Sequence, residues 1–246
     1  MNKPLVIGHR GACAYAPDNT LAAFNLAFEM GADGIELDVV LTADGIPVVF
    51  HPEMDPKHPT HGYKTLKGMT LAQVKQIDVG GWFGDKFRGE KIPTLAEVFE
   101  VVNKRGIVNI EIKDWTLDNN DIEAKTIQVV ESFKMQDRVI LSSFNPIRLA
   151  RVMKINPHYP RGLIYMANLP PRWIHGLFRS LAHATAIHPH YAMLTRKYVA
   201  WARGKGYAIN TWHTMEPNEI RQLIALGVDS IMSNAPDILR KVVDEG

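Results

Sequence analysis

The sequence predicts an α/β fold, a TIM (β/α)8 barrel with a small inserted cap after the hairpin of its second strand. Short apolar runs alternate with helical patterns along most of the chain, which is typical of βα units around a parallel sheet. Eight such runs occur, enough to close a barrel, and polar residues collect at their carboxyl ends. A length of 246 residues suits one such barrel, so we expect a single domain over residues 1–246.

The strands are predicted from apolar runs bounded by turn residues. They are Leu5–His9, Asp33–Asp38, Ile107–Lys113, Arg138–Ser142, Arg161–Tyr165, Thr185–His188, Tyr207–Thr211 and Asp229–Ser233. The first helix is expected to begin at a cap formed by Asp18 or Asn19 and to end at Gly31. Thr94, with Glu97 at the capping-box position, predicts a helix that runs to about residue 104.

The dipeptide Asp44-Gly45 lies between two apolar runs and predicts a β-hairpin that extends the second strand. With a two-residue turn, Ala43 faces Ile46, and Asp38 then lies opposite His51. The predicted register therefore brings a histidine beside the acidic strand.

The segment 52–91 interrupts the regular pattern with many Pro, His, Gly and Lys residues and one predicted helix, Leu71–Ile77. A structureless loop of that length would be unusual inside a compact domain. We therefore expect this insertion to form a small cap within the barrel domain.

Composition excludes several classes of protein. The hydrophobic and charged contents of 46% and 22% are those of an ordinary globular protein, and a net charge of +2 gives no basic footprint for nucleic acid. No apolar run could span a membrane, the N-terminus leaves no room for a secretory signal, and the one cysteine, Cys13, suits a reducing compartment. We expect a cytoplasmic protein with no nucleic-acid partner and no stable membrane association; the sequence does not determine its oligomeric state.

Three acidic residues point to one centre. Glu36 and Asp38 alternate with apolar residues in a strand, so they share one face, and Glu111 lies in the next barrel strand with the same alternation. Buried carboxylates repel one another unless a cation lies between them. An oxygen-only set without cysteine favours Mg²⁺ or Ca²⁺. The alternative is structural ion pairing of Asp38 or Glu111 with Lys113.

Two histidines and two cations end or follow the same strands. His9 and His51 have the side chain that titrates near neutral pH, as a general acid and base must. Arg10 and Lys113 can neutralise a phosphate, which predicts a phosphoester substrate. The alternatives for these four residues are structural histidines, metal ligation and solvated surface cations.

Taken together, seven motifs resemble those of the glycerophosphodiester phosphodiesterases, and the resemblance covers nearly the whole chain. The motifs are His9-Arg10-Gly11, Pro17-Asp18-Asn19-Thr20, Glu36-Leu37-Asp38-Val39, Thr42-Ala43-Asp44-Gly45, Val48-Val49-Phe50-His51, Ile92-Pro93-Thr94-Leu95 and Glu111-Ile112-Lys113. The resemblance implies that Glu36, Asp38 and Glu111 hold one divalent cation and that His9 and His51 are the acid and base.

The same resemblance implies that Arg10 and Lys113 bind the phosphate. It also places Trp212 beside the glycerol moiety, with Phe144 as a weaker candidate for the same wall. The implied activity is hydrolysis of a small-molecule glycerophosphodiester to sn-glycerol 3-phosphate and an alcohol, with water or the glycerol 2-hydroxyl as nucleophile. Headgroup choice stays open.

Two departures from the family pattern leave alternatives open. Asp18 stands where a glutamate is usual, and Pro52 follows His51 where an aspartate is usual, which removes a carboxylate and an N–H group. A protein that binds a phosphate compound without catalysis is therefore one alternative. The other is a lysophospholipase D-like enzyme, since the segment 171–179 mixes aromatic and basic residues as interfacial helices do.

Overall fold

Eight parallel strands close into a barrel, and a ninth strand is antiparallel to the second. This computed structural model describes residues 3–51, 66, 68–166 and 172–245, with the side chains of 172–174 excepted. The strands are β1 Leu5–His9, β2 Gly34–Leu41, β3 Pro47–Val49, β4 Ile107–Ile112, β5 Val139–Ser143, β6 Arg161–Tyr165, β7 Ala186–Pro189, β8 Ala208–Thr211 and β9 Ser230–Ser233. Because β1 pairs with both β2 and β9, the ring is complete and the predicted fold is confirmed.

Helices follow the strands and pack around the barrel. They are α1 Leu21–Glu29, α2 Leu71–Val74, α3 Leu95–Val102, α4 Ile122–Ser132, α5 Pro146–Ile155, α6 Arg172–Ala182, α7 Arg196–Gly204, α8 Pro217–Leu226 and α9 Pro236–Glu245, with short 3-10 helices at Asp85–Phe87, Gln136–Arg138 and Tyr191–Met193. No helix in the described part of the chain is long and apolar enough to cross a membrane.

Two predicted helix starts had different outcomes. The capping box at Thr94 is confirmed, because its hydroxyl accepts from Glu97 N and the Glu97 carboxylate accepts from Thr94 N. The predicted cap of α1 is wrong: Thr20 caps the helix by accepting from Ala23 N. Asn19 lies before it with a φ of 56° and turns its side chain toward β2 instead.

The predicted hairpin register is wrong by one residue. Val39 pairs with Val49, and Phe50 N donates to Asp38 O, so Asp38 lies opposite Phe50 rather than His51. The reason is a three-residue loop closed by Thr42, with Gly45 at a φ of 75°, a left-handed conformation that suits glycine.

Strand alternation separates the core from the barrel interior. On β2, Ile35, Leu37 and Val39 are fully buried against the surrounding helices, while Glu36 and Asp38 face the barrel axis. A second apolar cluster, which includes Leu163 and Ile187, does the same for the later strands. The apolar packing therefore fixes which side chains reach the interior.

The insertion is only partly described, and the single-domain organisation with a cap at 52–91 stays a prediction. Its described residues include α2, three residues shorter than the predicted helix, and Leu66, Val74 and Val79. These side chains pack on Val48 and Phe50 of the hairpin. This part of the insertion is thereby anchored to the strand that carries Asp38.

Candidate active site

One cavity of about 220 Å³ lies at the carboxyl ends of the barrel strands. Eight of the nine predicted site residues line it: His9, Arg10, Glu36, His51, Glu111, Lys113, Phe144 and Trp212. The ninth, Asp38, is only 1% exposed and lies behind them. The barrel thus brings all the predicted residues together.

The three carboxylates form a compact group. One oxygen from each of Glu36, Asp38 and Glu111 lies within 4.8 Å of the others, and all three residues are buried. Asp38 and Glu111 are direct register partners across β2 and β4, which accounts for their proximity. A group of this size and chemistry can hold a hard divalent cation.

Two cations balance part of this charge. Lys113 Nζ lies 2.8 Å from Glu111 Oε1 and 3.1 Å from Asp38 Oδ1, while Arg10 Nε lies 3.3 Å from Asp38 Oδ2. The backbone N–H of Arg10 donates to Glu36 over 3.0 Å. The predicted ion pairing of Lys113 therefore exists, but it leaves three carboxylates against two cations.

The charge imbalance shows in the pKa values. Burial, with repulsion from Asp38 and Glu111, raises the pKa of Glu36 well above its usual range. Although burial opposes ionisation of Asp38, the neighbouring Lys113 and Arg10 lower its pKa. Burial and Asp38 raise the pKa of Glu111 against the attraction of Lys113. The group therefore has a deficit of positive charge that a further cation would remove.

His9 is held on two sides. Its Nδ1 lies 2.7 Å from Asn234 Oδ1, an acceptor, so Nδ1 carries the proton and Nε2 keeps its lone pair. The ring stacks on His213 with centroids 4.5 Å apart, and Nε2 lies 3.9 Å from Glu36. Burial lowers the pKa of His9 well below its usual value, and Arg10 and His213 act in the same direction.

His51 reaches the cavity although the register differs from the prediction. It lies two residues after the end of β3 and lines both this cavity and a larger adjoining groove of about 600 Å³. Lys113 also lines both spaces. Pro52, on which one alternative depends, lies outside the described residues, and Asp18 lies 3.4 Å from Arg10 Nη1.

Aromatic rings form one wall of the mouth. Phe144 packs edge-on against Trp212 at 5.9 Å and stacks on Trp115 at 5.6 Å. Lys113 Nζ lies 5.7 Å from the Phe144 ring centroid. Trp212 is fixed because its indole N–H donates to His188 O over 2.9 Å. Phe144 and Trp212 thus share a wall, as predicted, and Trp115 extends it.

Sequence reasoning missed several supporting residues. Asn19, which the sequence predicts as a possible helix cap, donates to Asp38 Oδ2 over 2.9 Å. Asn234 and His213, which contact His9, are not among the residues that the sequence predicts for the site. A signal for Asn19 and Asn234 exists, since each adjoins a strand end or a motif, but their partners are 19 and 225 residues away.

A second buried ion cluster lies beside the site. Arg148 is fully buried and contacts Glu123 and Asp114, each at 3.1 Å. It also donates to the backbone carbonyls of Thr116 and Asp118. Arg148 thereby fixes the loop after β4, which carries Trp115.

The helix suspected of contacting lipid is α6. Its Phe178 packs on the second apolar cluster and Arg179 lies over Trp201, while Leu177 and Leu181 are 64% and 42% exposed. Pro171 and the side chains of 172–174 lie outside the described residues. The described part is a helix packed on the barrel with two exposed leucines.

Comparison with known proteins gives consistent matches. The model of the glycerophosphoryl diester phosphodiesterase family matches residues 9–238. A glycerophosphodiester phosphodiesterase of Caldanaerobacter subterraneus subsp. tengcongensis is 41% identical over 99% of both chains. This confirms the resemblance, and with it the predicted enzyme class.

Solved structures agree with the fold. A putative glycerophosphoryl diester phosphodiesterase from Silicibacter pomeroyi aligns with a TM-score of 0.87 at 26% identity, covering 98% of this chain and 93% of that one. A phosphodiesterase of Oleispira antarctica, solved in complex with the product sn-glycerol-3-phosphate, has a TM-score of 0.84 at 30% identity, covering 98% and 97%. The chain therefore belongs to the glycerophosphoryl diester phosphodiesterase family.

Proposed function

We propose that the protein hydrolyses glycerophosphodiesters to sn-glycerol 3-phosphate and an alcohol in a reaction that depends on a divalent cation. The observation that carries this proposal is the cluster of Glu36, Asp38 and Glu111 beside one cavity that two histidines and two cations line. The product named for the Oleispira structure supports the same reaction.

The residues present fit a hard divalent cation. Three buried carboxylates face two cations, and burial together with repulsion from Asp38 and Glu111 raises the pKa of Glu36. Glu36, Asp38 and Glu111 would hold the ion, and oxygen ligands favour Mg²⁺ or Ca²⁺. When bound, such an ion polarises the phosphoryl oxygens and stabilises the charge that develops on them.

The remaining steps belong to the side chains. Arg10 and Lys113 bind and orient the phosphate, and the wall of Phe144 and Trp212 shields one side of the substrate from water. His9 and His51 provide the proton transfers: one accepts a proton from the nucleophile and the other gives one to the leaving alcohol. Asn234 keeps the Nε2 lone pair of His9 available for this role.

The test is a coupled assay for release of glycerol 3-phosphate from glycerophosphocholine and glycerophosphoethanolamine. We expect turnover that stops with a chelator and returns with Mg²⁺ or Ca²⁺, and the ion that restores it identifies the cofactor. His51→Ala should lower kcat by about 10²–10⁴-fold, the usual contribution of a positioned acid or base. Absence of turnover with both substrates and both metals would favour a silent binding protein, and wild-type rates in His51→Ala would refute the histidine mechanism.

The lysophospholipase D-like alternative rests on α6, where Leu177 and Leu181 are exposed. Co-sedimentation with liposomes tests it, and we expect no binding because an amphipathic helix on a barrel usually packs inward. The predicted cytoplasmic location is tested by cell fractionation.

A further inference from the structure

The barrel interior below the carboxylates is unusually polar. Barrels of this type usually fill this region with bulky branched side chains. Here the buried residues include several polar ones, distributed over five strands: Asn109, Ser142, His188, Asn210 and Ser230. Since a buried polar group costs free energy unless it is paired, each of them needs a partner.

Three of these residues satisfy one another. Ser230 Oγ donates to Asn210 Oδ1 over 2.8 Å, so the amide Nδ2 of Asn210 faces His188 Nε2 at 2.9 Å. Nε2 is then the acceptor, and the ring proton lies on Nδ1. Burial lowers the pKa of His188 to about 3, which keeps the ring neutral at pH 7.

Of these five side chains, three keep an atom without a hydrogen-bond partner among the described residues: Ser142 Oγ, which does not border the cavity, and the two atoms His188 Nδ1 and Asn109 Oδ1. Both residues line the cavity that contains Glu36 and Glu111, and they are 1% and 3% exposed. Leaving such an atom unpaired carries a desolvation penalty. A donor and an acceptor in one cavity are complementary to a hydroxyl group, which is both.

We infer that Asn109 and His188 form a polar floor that binds the terminal hydroxyl of the glycerol unit, the hydroxyl farthest from the phosphate. The inference rests on the proposed function. Asn109 lies two residues before Glu111 on β4, about 7 Å deeper in the barrel at ~3.3 Å per residue. A three-carbon chain extending from a phosphate at Arg10 and Lys113 reaches that depth.

This assignment divides the substrate between two spaces. The glycerol half, which is the same in every substrate, enters the barrel between the aromatic wall and the polar floor. The alcohol half, which varies, extends into the larger groove that shares His51 and Lys113 with the cavity. The floor therefore selects for glycerol, whereas the groove contacts the headgroup.

The test compares binding of sn-glycerol 3-phosphate with that of its 1-deoxy analogue, propane-1,2-diol phosphate of the same configuration. Isothermal titration calorimetry with Mg²⁺ or Ca²⁺ should show the analogue bound at least about tenfold more weakly by the wild type, because a buried donor and acceptor lose their partner. In Asn109→Leu, we expect the ratio of the two dissociation constants to fall below about threefold, mainly because glycerol 3-phosphate binds more weakly.

Ser142→Ala is the matched control. Ser142 is fully buried and its hydroxyl also has no partner among the described residues, but Ser142 is not among the residues that line the cavity. In this variant, the ratio of the dissociation constants of the two ligands should equal that of the wild type. A change in the ratio of the two dissociation constants as large as that of Asn109→Leu would indicate a general effect of polar groups in the barrel. It would refute the proposed role of the polar floor.

Equal affinity of the wild type for the two ligands would also overturn the inference, and that measurement needs no variant to fold. The inference also fails if Asn109→Leu weakens the binding of both ligands by the same factor, because Asn109 would then have only a structural role. The proposed function can fail independently of this inference. If the protein shows no turnover but still binds glycerol 3-phosphate more tightly than the deoxy analogue, only the proposed function is refuted. If it shows turnover but binds the two ligands equally, only the role of the polar floor is refuted.

Discussion

Two buried ion clusters meet just after β4, and they differ in how their charges are balanced. The carboxylate cluster comprises Glu36, Asp38 and Glu111 with Arg10 and Lys113, so acids outnumber cations. The arginine cluster comprises Arg148, Asp114 and Glu123, with Arg151 3.9 Å from Glu123, so acids and arginines are equal in number.

Their surroundings differ as well. Arg148 is fully buried, and its guanidinium N–H groups are already paired with a carboxylate, a hydroxyl and backbone carbonyls. The carboxylate cluster borders an open cavity, and its Glu36 has a raised pKa. Buried charge that is balanced and fully hydrogen-bonded supports the fold, whereas buried charge with a deficit is suited to bind a ligand.

The largest expected effect comes from a substitution that disrupts the balanced arginine cluster. Arg148→Met should lower the free energy of unfolding by about 3–5 kcal/mol, because Glu123 is left as an uncompensated buried charge. Thermal unfolding of the two proteins measures the loss. Arg151→Met, which removes a partly exposed cation from the same helix, α5, should cost about 1 kcal/mol or less. Similar losses in the two variants would contradict the contrast.

The next effect is on activity rather than stability. Asp38→Asn should lower kcat/KM by more than about 100-fold, the upper end for outer-shell partners of metal sites, because Asp38 is a proposed ligand and also holds Lys113. The assay with saturating Mg²⁺ or Ca²⁺ checks this, and near wild-type activity would exclude Asp38 as a ligand. A thermal melt of the metal-free variant checks that it is folded.

The smallest expected effect is on stability, and it tests the deficit of positive charge in the carboxylate cluster. The raised pKa of Glu36 means that the folded state binds its proton more tightly than the unfolded state, so its contribution to stability falls as pH rises. In metal-free protein, Glu36→Gln should therefore be the more stable form at pH 8, by about 1 kcal/mol or roughly 2–4 °C. The difference should shrink as the pH falls, because a protonated Glu36 no longer carries a buried charge.

Melting curves of the two metal-free proteins at pH 8 and at lower pH give the answer. Addition of Mg²⁺ or Ca²⁺ should stabilise the wild type more than Glu36→Gln, since the variant lacks one charged ligand. A wild type that is more stable than the variant at pH 8 without metal would show that Arg10 and Lys113 already balance the cluster.

The sequence alone determined the barrel and the identity of the central residues. Alternation of apolar and polar side chains is a local property of a strand, so Glu36, Asp38 and Glu111 could be assigned to the interior without coordinates. The parallel order of the strands then brings their carboxyl ends to one rim, where His9, Arg10 and Lys113 lie.

Only the tertiary structure decided how these residues are held. The hairpin register depends on the loop closed by Thr42, which composition did not distinguish from a two-residue turn. The pairing of His9 with Asn234 depends on closure of the barrel between β1 and β9, and the polar floor depends on side chains from strands far apart in sequence. Such contacts arise from packing of distant segments, and no local pattern encodes them.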